Sequence, residues 1–144
     1  DVQKIKGYKN FANKIWNIAR FILTASENTD TNSPYSEKAR SLRNEFDDLI
    51  KDITDDIENY RLHLGTEKIY HYIWHTFADI IIEESKKIIA DGDTEELASR
   101  KKVLVSIFED SLKVLHPFMP FVTEEIWQIM KKDNLLMIEQ WPIK

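Results

Sequence analysis

The sequence predicts an all-α fold, an antiparallel bundle of four long helices followed by a short C-terminal helix. Apolar residues recur at steps of three and four along most of the chain, and no stretch shows the strict alternation of a half-buried strand. Only three glycines and four prolines interrupt the 144 residues. Short connections between helices favour antiparallel neighbours. A chain of this length builds one hydrophobic core, so residues 1–144 are expected to form a single domain.

A polar segment separates the first two helices. The first helix is expected over residues 2–24, and the loop that follows covers residues 26–36. Ser36 is placed to cap a second helix over residues 37–61, because a serine oxygen accepts a hydrogen bond from the free backbone amides at a helix start. The expected inward-facing residues are Ile5, Tyr8, Ala12, Ile15, Ala19 and Ile22 in the first helix and Ala39, Leu42, Phe46, Leu49, Ile53, Ile57 and Tyr60 in the second.

Glycine and proline set the expected limits of the remaining helices. Gly65 should break the chain before a third helix that Thr66 caps and that ends at the turn over residues 91–93. The fourth helix should run from Thr94 to residue 116, where two prolines prevent regular continuation before a short fifth helix begins at Thr123. The expected buried residues are Ile69, Ile73, Phe77, Ile80 and Ile88 in the third helix and Val103, Leu104, Ile107, Ser111, Leu112 and Leu115 in the fourth.

Composition excludes several functional classes. The chain has no cysteine, which excludes a disulfide framework, a thiolate zinc site, an iron–sulfur cluster and a cysteine nucleophile. Its three glycines lie far apart, so no glycine-rich loop is available to hold a nucleotide phosphate. No apolar run approaches the roughly 20 residues of a membrane span, and no signal peptide is evident. Because the sequence begins with Asp rather than Met, we interpret it as a segment of a longer protein.

The first helix has an unusual polar face. The net charge of the chain is −5, yet its first 23 residues carry five basic side chains and a single acid. Asparagine is unfavourable inside a helix, so a stripe of three asparagines is not explained by local stability. Asparagine pairs with base edges, lysine and arginine pair with phosphates, and an aromatic ring at the border can stack on an unpaired base. The face consists of Lys6, Lys9, Asn10, Asn13, Lys14, Asn17 and Arg20, with Phe21 at its border and not one carboxylate within it.

Two further patterns are interpreted as structural. His71 and His75 have the i, i+4 spacing of two metal ligands, but Tyr72 stands where a zinc protease would carry its general base. We therefore expect no metal site. Asp79 and Glu83 also have the i, i+4 spacing, and without a nucleophile or oxyanion donor they are expected on an exposed helix edge.

The acidic residues of the second helix form a separate group. Residues 45–58 contain seven acids and one lysine. Such a run is usually solvated, and it would repel RNA. We expect it to lie away from any RNA-binding surface.

Four groups of residues resemble one family. The run Leu-His-Pro-Phe-Met-Pro-Phe-Val-Thr-Glu-Glu-Ile-Trp at residues 115–127 resembles the signature of the anticodon-binding domain of class I aminoacyl-tRNA synthetases, in the form closest to valyl-tRNA synthetases. Residues 8–21 are similar to the first-helix motif of the same family. The third helix adds a match at Trp74, Phe77, Asp79 and Glu83, and the closing Trp141-Pro142 fits as well.

The resemblance implies a tRNA-binding module within a longer cytoplasmic valine–tRNA ligase. Its partners would be the anticodon stem–loop of a valine tRNA and the catalytic domain of the same parent chain, with no role for a membrane. The motifs of the activation site are absent, so this chain is expected to be neither an enzyme nor a binder of ATP and Mg²⁺, which would belong to the parent. The expected RNA contacts are the polar face of the first helix, with Phe21 or Trp127 as a stacking surface.

Other interpretations remain open at the level of the sequence. The same domain could come from an isoleucyl or leucyl enzyme, because anticodon choice depends on geometry. The chain could instead be a protein-interaction module, a helical domain that docks a protein partner through the same basic face. A metal hydrolase would depend on His71 and His75 alone.

Overall fold

The computed structural model describes residues 2–27, 32–92, 94–130 and 132–142, most of which are helical and none of which forms a strand. The helices are α1 (Val2–Ala25), α2 (Glu37–Glu58), α3 (Leu62–His71), α4 (Glu83–Asp91), α5 (Thr94–Leu115) and α6 (Pro120–Ile129). A π-helical segment, Tyr72–Ile82, joins α3 to α4, so these three form one long third helix. A 3₁₀ turn, Leu136–Ile138, follows α6. The all-α prediction is confirmed.

Helix α5 lies at the centre of the bundle. It packs against α1, α2, α3, α4 and α6. The six residues of its expected inward face are all buried, as predicted. Helices α1 and α2 both pack against α5 and the third helix but have few contacts with each other, so they occupy opposite corners of the bundle.

Two of the expected helix limits are confirmed by their capping interactions. The Ser36 hydroxyl accepts a hydrogen bond from the Ala39 amide at 3.1 Å, which caps α2. At the end of α4, Gly92 adopts a left-handed conformation with φ of 73°, which glycine tolerates without steric cost. The expected loop is polar where it is described, and residues 28–31 of it lie outside the described residues.

The junction of α2 and α3 differs from the prediction. Gly65 does not break the chain. It is buried inside α3, where an added Cβ atom would lie 3.4 Å from the Ile53 side chain, so glycine lets α3 approach α2 closely. The chain reverses instead at Tyr60, which has φ of 62° and is 93% exposed rather than buried as expected. Thr66, expected as a cap, hydrogen-bonds to the Leu62 carbonyl within α3.

The Asp56 carboxylate holds this junction together. It is buried and accepts hydrogen bonds from the Arg61 guanidinium at 3.1 Å and the Lys68 ammonium at 2.6 Å. The Arg61 amide also donates to the Asp56 carbonyl at 2.7 Å. These bonds close the α2–α3 turn without the glycine that the sequence pattern favoured.

The π-helical segment changes which side chains face the core. A π-helix bonds residue i to residue i+5, so inward positions recur at wider steps than in an α-helix. Ile73 and Phe77 are buried as predicted, whereas Ile80 is 60% exposed and the prediction of its burial is wrong. Ile81 and Ile82 are buried in its place.

The two ends of the predicted inward stripe of α1 behave differently. Residues 2–10 are all exposed, so the prediction that Ile5 and Tyr8 face the core is wrong. Lys4 and Tyr8 instead border an open cleft that Tyr70 of α3 and Leu115 of α5 also line. Burial begins at Phe11 and continues through Ile15 and Ile22.

The corner between α5 and α6 also starts earlier than expected. Helix α6 begins at Pro120, and Thr123 is buried inside it rather than capping it. The Thr123 hydroxyl donates to the Met119 carbonyl at 2.8 Å and lies 3.0 Å from Nδ1 of His116. His116 is therefore a hydrogen-bonded residue directly after the end of α5.

The Asp56 contacts predict a pH-dependent stability. Hydrogen bonds from Lys68, followed by those from Arg61, hold the pKa of the Asp56 carboxyl below its usual value of 3.8. A carboxyl whose pKa is lowered in the folded state stabilises the fold above its unfolded pKa, and this contribution disappears as the pH falls through the folded pKa. We expect Asp56→Asn to lower the melting temperature at pH 7 and the deficit to shrink below about pH 4.

Thermal unfolding followed by circular dichroism at pH 7, 5 and 3 measures this effect. Asp48→Asn is the matched control, since Asp48 is an exposed carboxylate on the same helix. An Asp56→Asn deficit that stays constant across the pH range would contradict the assignment.

Candidate nucleic-acid interface

The inner side of α1 fixes the direction of its polar face. Phe11, Ile15, Ile18 and Ile22 are each at most 5% exposed and pack into the core. Because these side chains share one side of the helix, the opposite side must face solvent. The exposed side chains of the expected polar face are Lys6, Lys9, Asn10, Asn13, Asn17 and Arg20.

Lys14 occupies a different position from the other cations of this face. Its side chain is 30% exposed, and its ammonium lies 3.4 Å from Oδ1 of Asp79 and 5.5 Å from the centre of the Trp74 ring. The sequence predicted a face without carboxylates. Helix α1 itself contributes none there, but the π-helical segment places Asp79 against it. Sequence reasoning missed this pair because the two residues are 65 positions apart.

Phe21 lies where the polar face meets the third helix. Its ring is half-buried and borders a cleft of ≈ 160 Å³ that Asn17, Glu83 and Lys86 also line. The Lys86 ammonium sits 5.7 Å from the centre of the Phe21 ring and 2.7 Å from the Glu83 carboxylate. One part of the Phe21 ring therefore packs on the protein, and the rest is open to the cleft.

Trp127 cannot act as a stacking surface, and that expectation is wrong. Its side chain is 2% exposed, and its indole nitrogen donates a hydrogen bond to the Asn134 carbonyl at 2.9 Å. The Lys113 and Lys132 ammonium groups lie 6.0 and 5.4 Å from its ring centre. The residue is buried because the inner side of α6 packs against α5, where the indole fills the interface.

Exposed rings on the third helix were not identified from the sequence as part of a site. Tyr70, His71 and His75 are exposed, and Trp74 is half-buried beside them. The ring centres of His71 and His75 are 4.8 Å apart, and those of Tyr70 and Trp74 are 5.8 Å apart. The dense aromatic run over residues 70–77 was a signal, but the phase of the π-helical segment decides which rings reach the surface.

The two histidines do not belong to a larger ligand set. Nδ1 of His75 lies 3.6 Å from Oδ2 of Asp79. Across the described ranges, no three histidine or acidic side chains are grouped so that they could hold a metal ion.

The acidic residues of α2 lie on the opposite corner of the bundle and are largely paired within it. Asp47 and Asp110 both contact the buried guanidinium of Arg43. The Lys68 ammonium lies 2.9 Å from the Asp52 carboxylate and also donates a hydrogen bond to the Asp56 carboxylate. The acids of α2 thus lie apart from the polar face of α1, whereas Asp79 and Glu83 of the third helix border it.

The family assignment follows from residues 39–144, which match the family model of the anticodon-binding domain of tRNA ligase. The chain belongs to this family. Helix α1 precedes the matched range, but similarity to individual proteins includes it. The chain is 37% identical over its full length to a valine–tRNA ligase of Wigglesworthia glossinidia brevipalpis and 34% identical over 99% of its length to one of Coxiella burnetii.

A third similar protein is the valine–tRNA ligase of Laribacter hongkongensis, at 30% identity over 99% of this chain. This chain spans only 18%, 17% and 16% of the lengths of these three relatives, in the order given. In the part of the chain that the structure describes, no helix has the length and apolar character needed to cross a membrane.

The Lys14–Asp79 ion pair leads us to expect that the Asp79→Asn variant of this anticodon-binding domain binds RNA more tightly. In Asp79→Asn, Lys14 loses the carboxylate that competes with a phosphate. An exposed ion pair contributes about 0–1 kcal/mol, so we expect affinity for an RNA stem–loop to rise by up to about fivefold. The salt dependence of binding should become steeper at the same time.

Fluorescence anisotropy at two salt concentrations measures both quantities. Asp48→Asn on α2 removes the same charge at the opposite corner and serves as the control. Weaker binding by Asp79→Asn would show that Asp79 contacts the RNA directly. An equal gain in both variants would show that only net charge matters.

Proposed function

We propose that this domain binds the anticodon stem–loop of a valine tRNA through the exposed polar face of α1, as one part of a longer valine–tRNA ligase. The observation that carries the proposal is the grouping of cations and asparagines on one solvent-facing side of α1, in a chain that belongs to an anticodon-binding family. The valine assignment is supported by the relatives, which are valine–tRNA ligases at 30–37% identity.

The residue types of the face suit two kinds of contact. Lys6, Lys9 and Arg20 are exposed cations that attract phosphates without regard to sequence. Asn10 and Asn13 are exposed amides that both donate and accept, so they can pair with the edge of an unpaired base. The cations would supply most of the affinity, and the amides would supply the choice of loop.

Three more members of the set have distinct roles in the proposal. Oδ1 of Asn17 lies 3.5 Å from the Arg20 guanidinium, so these two side chains adjoin on the face. Lys14 would join the phosphate contacts when it leaves Asp79. Phe21 presents part of its ring at the edge of the cleft and is available to a base there.

The remainder of the longer protein would carry the chemistry. Aminoacylation, with ATP and Mg²⁺, would take place in its catalytic domain, and we propose that the domain described by this chain binds no cofactor itself. The exposed first turns of α1, with Ile5 at 69% exposure, offer a surface for contact with that domain. We place the full-length protein in the cytoplasm, where its tRNA substrate would be found.

Substitution of single residues on α1 separates the two kinds of contact. Lys9→Ala should weaken binding of every stem–loop alike and lower the salt slope by about one, because one phosphate contact is lost. Asn10→Ala or Asn13→Ala should cost roughly 1–3 kcal/mol, and only for the loop with the valine anticodon. Lys51→Ala on α2 is the control, since Lys51 is an exposed lysine on the opposite corner.

Binding is measured by titrating valine, isoleucine, leucine and scrambled stem–loops at two salt concentrations. Preference for the isoleucine or leucine loop would reassign the parent enzyme. If the α1 variants fold and bind like the unmodified domain, the RNA surface lies elsewhere. If no stem–loop binds, the alternative of a protein-docking module gains support.

A further inference from the structure

Four rings on the third helix form a continuous surface outside the polar face of α1. We call Tyr70, His71, Trp74 and His75 the ring row. Neighbouring members lie close together: the ring centres of Trp74 and His75 are 6.4 Å apart, and the pairs one helical turn apart are closer still.

The ring row rests on a buried support. The Phe11 ring is 5% exposed and lies 4.6 Å from Tyr70 and 6.1 Å from Trp74, measured between ring centres. The row itself faces outward, with Tyr70 39% exposed and the His75 side chain 52% exposed. Core packing therefore accounts for the aromatic ring at Phe11 and for one side of the Trp74 ring, but it does not account for the exposed rings of the row.

Lys14 joins the ring row to the polar face of α1. Its ammonium contacts both Trp74 and Asp79, and Asp79 in turn lies beside His75. The row also has a carboxylate at its other end, because Glu67 lines a groove together with Tyr70 and His71. The two surfaces thus meet at Lys14 with no intervening element.

We propose that the ring row is a second RNA-contact surface, on which unpaired bases of the bound loop stack. Lys14 would then hold a phosphate between the row and the asparagines of α1. This inference rests on the proposed function and names a binding surface that the polar face does not include. Every base has a π face, so stacking contributes affinity with little regard to base identity.

RNA fits this surface better than a protein partner does. Exposed rings next to a row of cations match the aromatic-and-cationic grooves that bind single-stranded nucleic acid. The carboxylates of Asp79 and Glu67 at the two ends of the row disfavour any anionic group there, so phosphates would lie at Lys14 and the rings would face the uncharged bases.

The difference between stacking and base reading provides the test. The double variant His71→Ala/His75→Ala removes two exposed rings and leaves the core unchanged. We expect it to bind RNA about tenfold more weakly, and by the same factor for the valine loop and a scrambled loop. His63→Ala is the control, since His63 is an exposed histidine in the first turn of α3.

A spectroscopic readout on the unmodified domain accompanies the affinities. The domain has four histidines, so their ring-proton NMR signals can be followed during titration with the valine stem–loop. The signals of His71 and His75 should shift through the ring currents of stacked bases. Those of His63 and of the hydrogen-bonded His116 should stay in place.

Each outcome decides the inference. If the unmodified domain binds RNA without a shift of the His71 and His75 signals, the proposal for the ring row is overturned and the α1 proposal stands. The same holds if the double variant binds with full affinity. A loss confined to the valine loop would make the histidines base readers rather than a stacking surface. Absence of RNA binding by the unmodified domain would overturn both proposals.

Discussion

The burial of one side of α1 against the third helix and α5 determines the direction in which the polar face of α1 points. Four core side chains anchor the helix, so it can pack in only one orientation about its own axis. They are Phe11, Ile15, Ile18 and Ile22. A rotation that exposed them would bury the asparagines and lysines of the other side without partners, at a high cost in free energy. The direction of the polar face is therefore a consequence of core packing, although none of its residues belongs to the core.

Several acids of α2 pair with cations of the bundle, whereas the cations of the polar face of α1 other than Lys14 are exposed. The buried Arg43 guanidinium links α2 to α5 through Asp47 and Asp110, and the buried Arg100 reaches the Ser85 hydroxyl on α4 at 3.1 Å. A buried charge without partners is costly, so these contacts also favour one arrangement of the helices. The α1 cations outside the Lys14 pair make no ion pair within the described ranges.

The sequence predicted features that depend on neighbouring residues and missed those that depend on tertiary contacts. The Ser36 cap and the Gly92 turn follow from local chemistry, and both are confirmed. The exposure of Ile80 could not be predicted, because a π-helical segment has no clear sequence pattern. In the candidate site, the exposed α1 side chains followed from helical periodicity, whereas the burial of Trp127 and the approach of Asp79 depend on how distant helices pack.

Ultraviolet cross-linking of the domain to a valine stem–loop, followed by mass spectrometry of the linked peptides, tests the location of the RNA surface most directly. It needs no variant, so an effect on folding cannot be mistaken for an effect on binding. The proposed interface predicts cross-links within residues 6–21 and 70–79. Cross-links confined to the acidic helix α2, or to residues 132–142, would contradict it.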